Sequence, residues 1–412
     1  MSQPQPPVAL YLHLPFCVAR CPYCDFVVYA GADTRGPRAR TERVYEAVSR
    51  ELELRADVLD ATFGAPGTGD RPLLPSVYFG GGTPSLVSGE WLERLLAIVR
   101  ARFGLAPGAE ITLEANPGPD ERGDLAAFRR LGVNRLSLGA QSLDTAELRR
   151  LGRRHSPEDV VAAVAEARDA GIDSVNLDLL YDVPGQSLEG WETTLRAALR
   201  LGLDHLSLYA LTLDAPDAEG LTGESGAHLP PAPGARRWRE RARSEQDEDR
   251  AAGQYELASE VLAGDGWRGY EISNWSRPGH ESRHNLVYWE RRPYEAVGPG
   301  AHAFDGVTRR WNRATMEPYL ASLLPAAGVP SAPPGGEERL TDETAAAERV
   351  ILGLRLDRGV PEGWGEMPPL DEVRSWAESS GLLERAVLDG EPRLRLTQRG
   401  RLLSNELFRR LV

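Results

Sequence analysis

Residues 11–26 read YLHLPFCVARCPYCDF and hold all three cysteines of a 412-residue chain, Cys17, Cys21 and Cys24. An odd set of thiols packed into so short a stretch is not a disulfide framework. In a reducing compartment it points to a metal or redox centre. The spacing is C-x3-C-x2-C. Three thiolates on one loop can hold three irons of a 4Fe–4S cluster, which ordinarily takes four cysteines. The fourth iron is then open to a small molecule. Two other readings stand beside this one: structural zinc, with His13 completing a Cys3His set, and unligated thiols. The apolar run Val8–Leu14 reads as a buried strand. The cysteines therefore follow the C-terminal end of a strand, where parallel α/β architectures build their sites.

Outward from this loop, strand-like and helix-like segments alternate. Strands are expected at 8–14, 76–79, 110–115, 135–138, 174–180 and 205–210. Helices are expected at 44–59, 91–102, 125–131, 157–170 and 191–201, with Ser156 placed to cap the fourth. Repeated β–α units define an α/β fold with a parallel sheet and right-handed crossovers. Alternation alone leaves a barrel and a doubly wound sheet both open. Residues 214–253 break the rhythm with Pro and Gly clusters and the charge run ARRWRERARSEQDEDR (235–250). That run reads as a solvated helix face or an insertion, and helix resumes at 254–263. Residues 326–340 read as a linker. The tail, 341–412, reads as helix, helix, strand (394–397) and helix, a small winged-helix-like module. The expected division is a main unit 1–213, an associated extension 214–325, the linker and the module 341–412.

Composition narrows the function. The chain is long enough to bury a core without staples. Charged residues make up 26%, and 42 Gly and 31 Pro follow no strict period, which excludes disordered and collagen-like classes. A net charge of −13 argues against nucleic-acid binding and against docking on an anionic membrane by charge alone. All 48 basic residues are Arg. There is no apolar run long enough to span a bilayer. The first residues lack a secretory signal. A cytoplasmic protein is expected, with at most peripheral membrane contact.

Each expected strand ends in a usable group. GGGTPS (80–85) lets backbone approach a ligand closely. Glu114 stands in E-x-N-P, and Gln141, Arg153 (in GRRH) and Asp178 follow at later strand ends. A carboxylate suits an ammonium or ribose hydroxyls, and a guanidinium suits a carboxylate. With the three-cysteine loop, and with the aromatic Tyr23 before the third cysteine, the sequence resembles the radical S-adenosylmethionine (SAM) superfamily. The resemblance implies a partial (β/α)6 barrel of the TIM type, a 4Fe–4S cluster on Cys17, Cys21 and Cys24, and SAM chelating the open iron. One branch is similar over nearly the whole chain. It holds the oxygen-independent coproporphyrinogen III dehydrogenases and their haem-chaperone relatives. Its motifs match 11–17, 80–84, 114–117, Gln141, 152–155 and 178–186 in order. In that branch Tyr11, Tyr23, Gly81, Gly82, Thr83, Glu114, Gln141, Arg153 and Asp178 would line the SAM site.

Two features separate the relatives. The dehydrogenase carries a fourth cysteine where this chain has Phe26, and a longer extension before the first strand. HNLVYW (284–289) resembles the haem-associated signature of the chaperones. It implies His284 as a haem-iron ligand, with Tyr288 and Trp289 packed on the porphyrin. GPGAH (298–302) adds close-approach glycines and His302, and His280 is a weaker ligand candidate. The bland alternative is a hydrogen-bonded His284 with core aromatics. Two functions are carried forward. One is a haem chaperone that passes haem to an apo-haemoprotein, expected to be respiratory. The other is a radical enzyme that abstracts hydrogen from a porphyrinogen propionate. No catalytic residue is assigned with certainty. The second axial ligand and the oligomeric state, a homodimer included, stay open.

Overall fold

The computed structural model describes residues 3–213, 229 and 234–412. Among them a nine-stranded sheet has the spatial order Glu295–Val297, Ala9–Leu14, Leu74–Gly81, Leu105–Ala115, Arg135–Gln141, Ser174–Tyr181, His205–Ala210, Asn274–Ser276 and Arg268–Gly269. Each of the first seven runs parallel to its neighbours in that series. The last two join antiparallel. The six strands from 9–14 to 205–210 lie side by side in chain order. A doubly wound sheet reverses its order at a switch point; this one winds a single way, as a barrel wall does. No pairing joins its two edges among the described residues, so the wall is a partial barrel.

Period-two alternation explains what the wall encloses. Leu136 and Leu138, Val175, Leu177 and Leu179, and Leu206 and Leu208 face outward into the main core. There they meet helix residues such as Val48, Leu52, Leu92, Val99, Val160 and Leu195. The intervening Ser137 and Gly139, Asn176 and Asp178, and Ser207 and Tyr209 face inward and line a cavity. Several helices of the barrel begin where a side chain caps them. Ser156 forms a full capping box with Asp159, and Ser88, Asp124 and Ser187 accept from backbone N–H groups at three other starts. Each cap is worth ~1 kcal/mol.

Three expectations change. The charge run holds one helix, Ala235–Arg243, and the start of a second, Glu248–Gly264, but it is not simply solvated. Arg239 is 2% exposed and reaches into the cysteine loop. Its buried face sets Arg239 on carbonyls of the loop and Ala242 and Trp238 in an apolar cluster with Leu151, Leu180 and Val183. The Pro- and Gly-rich part of 214–253 falls outside the described residues, apart from Leu229 and Gly234. The linker contains a strand, Gly335–Arg339, paired antiparallel with Thr308–Asn312. Its two glycines let the chain lie against Trp311. The tail has two hairpin strands, Leu383–Leu388 and Glu391–Leu396, where one was expected, and a third short strand completes their sheet.

The tail has its own apolar cluster, built on Val350, Leu354, Leu370, Leu383, Leu394 and Leu407. It also reaches the barrel. Arg355 pairs at 3.4 Å with Glu271, whose carboxylate is fully buried. Deleting 341–412 is expected to leave cluster assembly possible while costing ~2 kcal/mol, because Glu271 loses its cation. Denaturant unfolding and iron analysis of the truncated chain check this. Total loss of the fold would show the tail to be integral.

Candidate functional site

The cysteine loop is closed by parallel pairing of Phe16–Cys17 with Tyr29–Ala30. Thr34 Oγ1 donates to the Cys17 carbonyl at 2.9 Å. Burial pushes the Cys17 thiol up to about 12 and the Cys24 thiol up to about 11. Thiolates so placed need a cation to take their charge. Donors already point at two of the sulfurs. Thr83 Oγ1 lies 3.4 Å from Cys17 Sγ, and Arg153 Nη1 lies 3.5 Å from Cys21 Sγ. Asn116 links these donors, giving its N–H to Thr83 Oγ1 at 3.0 Å and accepting from Arg153.

The three cysteines line one cavity of ≈ 420 Å³ together with Tyr23, Gly81, Gly82, Glu114, Gln141, Arg153 and Asp178. A Cβ on Gly82 would sit 2.6 Å from the Phe16 carbonyl oxygen, so only glycine lets this turn pass beside the cysteine loop. Glu114 accepts from Tyr78 Oη at 2.8 Å and from the Gly81 N–H at 3.0 Å. Burial nevertheless pushes its carboxyl up to about 7. Burial also raises Asp178, against the donors Asn176 at 2.8 Å and Ser137 at 3.3 Å. Gln141 lies past a register shift with φ of 69°. This left-handed conformation costs a non-glycine residue ~1–3 kcal/mol, a kind of strain that concentrates at functional sites.

Some expected residues stand elsewhere. Tyr11 and Thr83 lie behind the cavity wall, not on it; Tyr78 occupies the wall in front of Tyr11, their rings 6.0 Å apart. His13 has both ring nitrogens engaged, with Tyr11 Oη at 3.0 Å and the Val27 carbonyl at 2.8 Å. It cannot complete a zinc set. His284 is 1% exposed, with Nδ1 3.1 Å from Ser76 Oγ and Nε2 2.9 Å from Tyr288 Oη. Neither nitrogen is free for iron in this arrangement. Burial holds its imidazole down at about 3, so it is neutral. Tyr288 packs on Tyr294, while Trp289 lies under the Arg355 guanidinium, 4.4 Å away. The signature therefore presents no single aromatic face. Gly298 and Gly300 lie against His13 and Val27, so their close approach is to this chain's own residues. His302 stacks on Trp311, and His280 stands 3.9 Å from Asp204.

The donor set fits a 4Fe–4S cluster. Among the described residues no three Cys, His, Asp or Glu side chains converge on one ion. A mononuclear zinc site needs that convergence, whereas a cluster spreads its sulfur ligands over separate irons. Cysteines at the top of a partial barrel, with a polar cavity beneath them, are the arrangement of a radical SAM protein. Residues 11–198 match the radical SAM superfamily. The chain is similar to the haem chaperone HemW of Mycobacterium tuberculosis H37Rv, 40% identical over 410 residues, covering 99% of this chain and 96% of that one. It is 38% identical over 297 residues to HemW of Escherichia coli K12, covering 72% and 70%. Its fold is that of E. coli coproporphyrinogen III oxidase HemN, with a TM-score of 0.76 at 20% identity over 99% of this chain and 91% of that one. The chain belongs to the HemW family of the radical SAM superfamily. Among the described residues no helix is long and apolar enough to cross a membrane.

Sequence reasoning missed Tyr78, Arg135, Asn285 and Arg239. Arg135 was readable, since it shares the inward parity of Gln141, an expected site residue on the same strand.

Proposed function

We propose that this protein binds haem and passes it to an apo-haemoprotein of respiratory type, with a 4Fe–4S cluster on Cys17, Cys21 and Cys24 and with SAM in the cavity below. When bound, the cluster supplies an open iron for the amino and carboxylate groups of SAM. Arg153 sets the polarity at that end, and Glu114 and Asp178 offer carboxylates to ammonium and hydroxyl groups. The observation that carries the chaperone reading is Phe26. Its ring is 70% exposed and lines the cavity rim, at the position where the dehydrogenases carry a cysteine. A large apolar side chain held in water beside a cavity suits contact with a macrocycle or a partner.

Haem titration of the anaerobically reconstituted protein, read by Soret absorbance, tests this. Saturable, stoichiometric binding that Phe26→Asp weakens is expected. Absence of saturable binding, with carboxyl loss from coproporphyrinogen in the presence of SAM and a reductant, would establish the radical-enzyme reading instead. The intact SAM cavity is what keeps that second reading in play.

Two predictions concern SAM. Arg153→Ala is expected to weaken SAM binding about tenfold or more, as loss of a charge-assisted contact does, while iron content stays unchanged. Unaltered SAM affinity would remove Arg153 from the site. The second concerns pH. Glu114 ionises about 7 in the fold against an ordinary 4.5. The folded state therefore holds a proton that the unfolded state has released between those values. Its contribution to stability falls as pH rises from about 4.5 to about 7 and is flat above. A cationic ligand favours the ionised form, so SAM affinity is expected to rise from pH 6 to pH 8. Glu114→Gln should flatten that profile; a slope that survives would assign it to another group.

A further inference from the structure

The cavity continues past the SAM-facing residues to the opposite end of the barrel, where Arg135 and Asn285 line it. Arg135 begins the inward row that continues through Ser137, Gly139 and Gln141. It is 3% exposed, yet among the described residues it has no ion pair, and its Nε is buried without a partner. The acids near it, Glu114 and Asp178, feel its charge but take their hydrogen bonds from other groups. Glu114 is held by Tyr78 and Gly81, Asp178 by Asn176 and Ser137. Its histidine neighbours are committed too. His205 bonds Asn176 at 2.7 Å and Tyr270 at 2.9 Å, and His284 bonds Ser76 and Tyr288. Thr112, level with Arg135 in the sheet register, also keeps a buried hydroxyl without a partner.

Asn285 belongs to the helix Arg283–Trp289 that closes this end of the barrel. The helix is pinned by Glu110, which accepts from the Arg283 and His284 N–H groups, each at 3.0 Å. With His284 locked inside the wall, Asn285 is the member of HNLVYW that meets the cavity. A guanidinium carries five donors in a fixed fork and no acceptor, and a carboxamide adds two more donors. Leaving such donors buried and unmet is costly. Water can occupy them, but the fork matches a carboxylate.

We propose that Arg135 and Asn285 form a carboxylate-binding floor for the second ligand of this cavity. Resting on the haem reading above, that carboxylate is a propionate of the porphyrin, and His284 is a prop that presents Asn285. The haem-linked signature thereby acts through its second residue rather than its first.

Haem and haem dimethyl ester, which share ring and iron and differ only in free carboxylates, are the probes. The reconstituted wild type should bind the diacid about tenfold tighter than the diester, the scale of a charged hydrogen-bond pair. Arg135→Gln should bring that ratio close to one, with SAM affinity measured on the same preparation. Asn285→Asp is the companion variant, because Asp is favourable in the first turn of a helix and gives Arg135 an internal carboxylate. It too should erase the preference. Wild type that binds diacid and diester alike, or variants that keep the full preference, would overturn the floor while leaving the haem reading intact. A fall in SAM affinity with haem binding unchanged would assign the floor to SAM's own carboxylate and overturn the proposal. If the wild type binds neither porphyrin, the haem reading fails and this inference with it.

Discussion

Cys17→Ala is expected to abolish the visible iron–sulfur absorbance after anaerobic reconstitution, and SAM binding with it. Three thiolates are the fewest that hold three irons of the cluster, so the loss of one is not graded. Cys17 is the deepest of the trio: it ends a buried strand, its carbonyl is held by Thr34 and its sulfur by Thr83. No other cysteine exists to replace it. The substitution removes little volume, so the apo fold should persist, and circular dichroism separates loss of ligand from loss of structure. Cys17→Ser gives the same test with shape retained. Full iron content in either variant would end the assignment of these cysteines. Thr83→Ala is the graded comparison, since it removes a hydrogen bond to sulfur and not a ligand. It should keep the iron and lower the reduction potential, because such bonds help set cluster potentials.

The parallel α/β sheet was legible because strand-like and helix-like segments alternate along the chain, and the partial barrel followed from the family resemblance of the cysteine loop and the strand-end motifs. RLSLGAQ places Leu136 and Leu138 against helices and Arg135, Ser137 and Gln141 inside. The three cysteines were legible because thiols are rare and their spacing is local. The strand-end residues were legible because topology carries each to the same rim. What stayed hidden depends on contacts between distant segments. Tyr11 and Tyr78 both face inward, and nothing local says which stands in front. HNLVYW names six residues but not which of them meets the cavity; that follows from Ser76 and Glu110, which take up His284 and its backbone. A polar, Gly-rich stretch at 335–339 becomes a strand only because Thr308–Asn312 offers it an edge.

The charge run conceals the most consequential of these contacts, and Arg239→Met is expected to cost ~2 kcal/mol and most of the cluster occupancy. Arg239 donates to the Pro22 carbonyl at 3.1 Å, to the Cys24 carbonyl at 3.4 Å and to the Asp25 carboxylate. These acceptors lie within and just beyond the last turn of the cysteine loop. Its neighbour Trp238 donates to the Arg150 carbonyl at 2.9 Å and packs on Tyr23, with ring centroids 6.3 Å apart. One helix from beyond the barrel therefore fixes both the backbone around Cys24 and the aromatic before it. Methionine keeps much of the packing volume and removes the donors, leaving two carbonyls unmet. The Asp25 pair adds little, because that carboxylate is more than a third exposed. Lysine should not rescue, since a single ammonium cannot span three acceptors that a planar fork meets together. Iron content per chain and the denaturant midpoint of the apo protein, measured on the same preparations, separate loop positioning from general stability. Wild-type iron content in Arg239→Met would mean that the loop holds its shape without the helix.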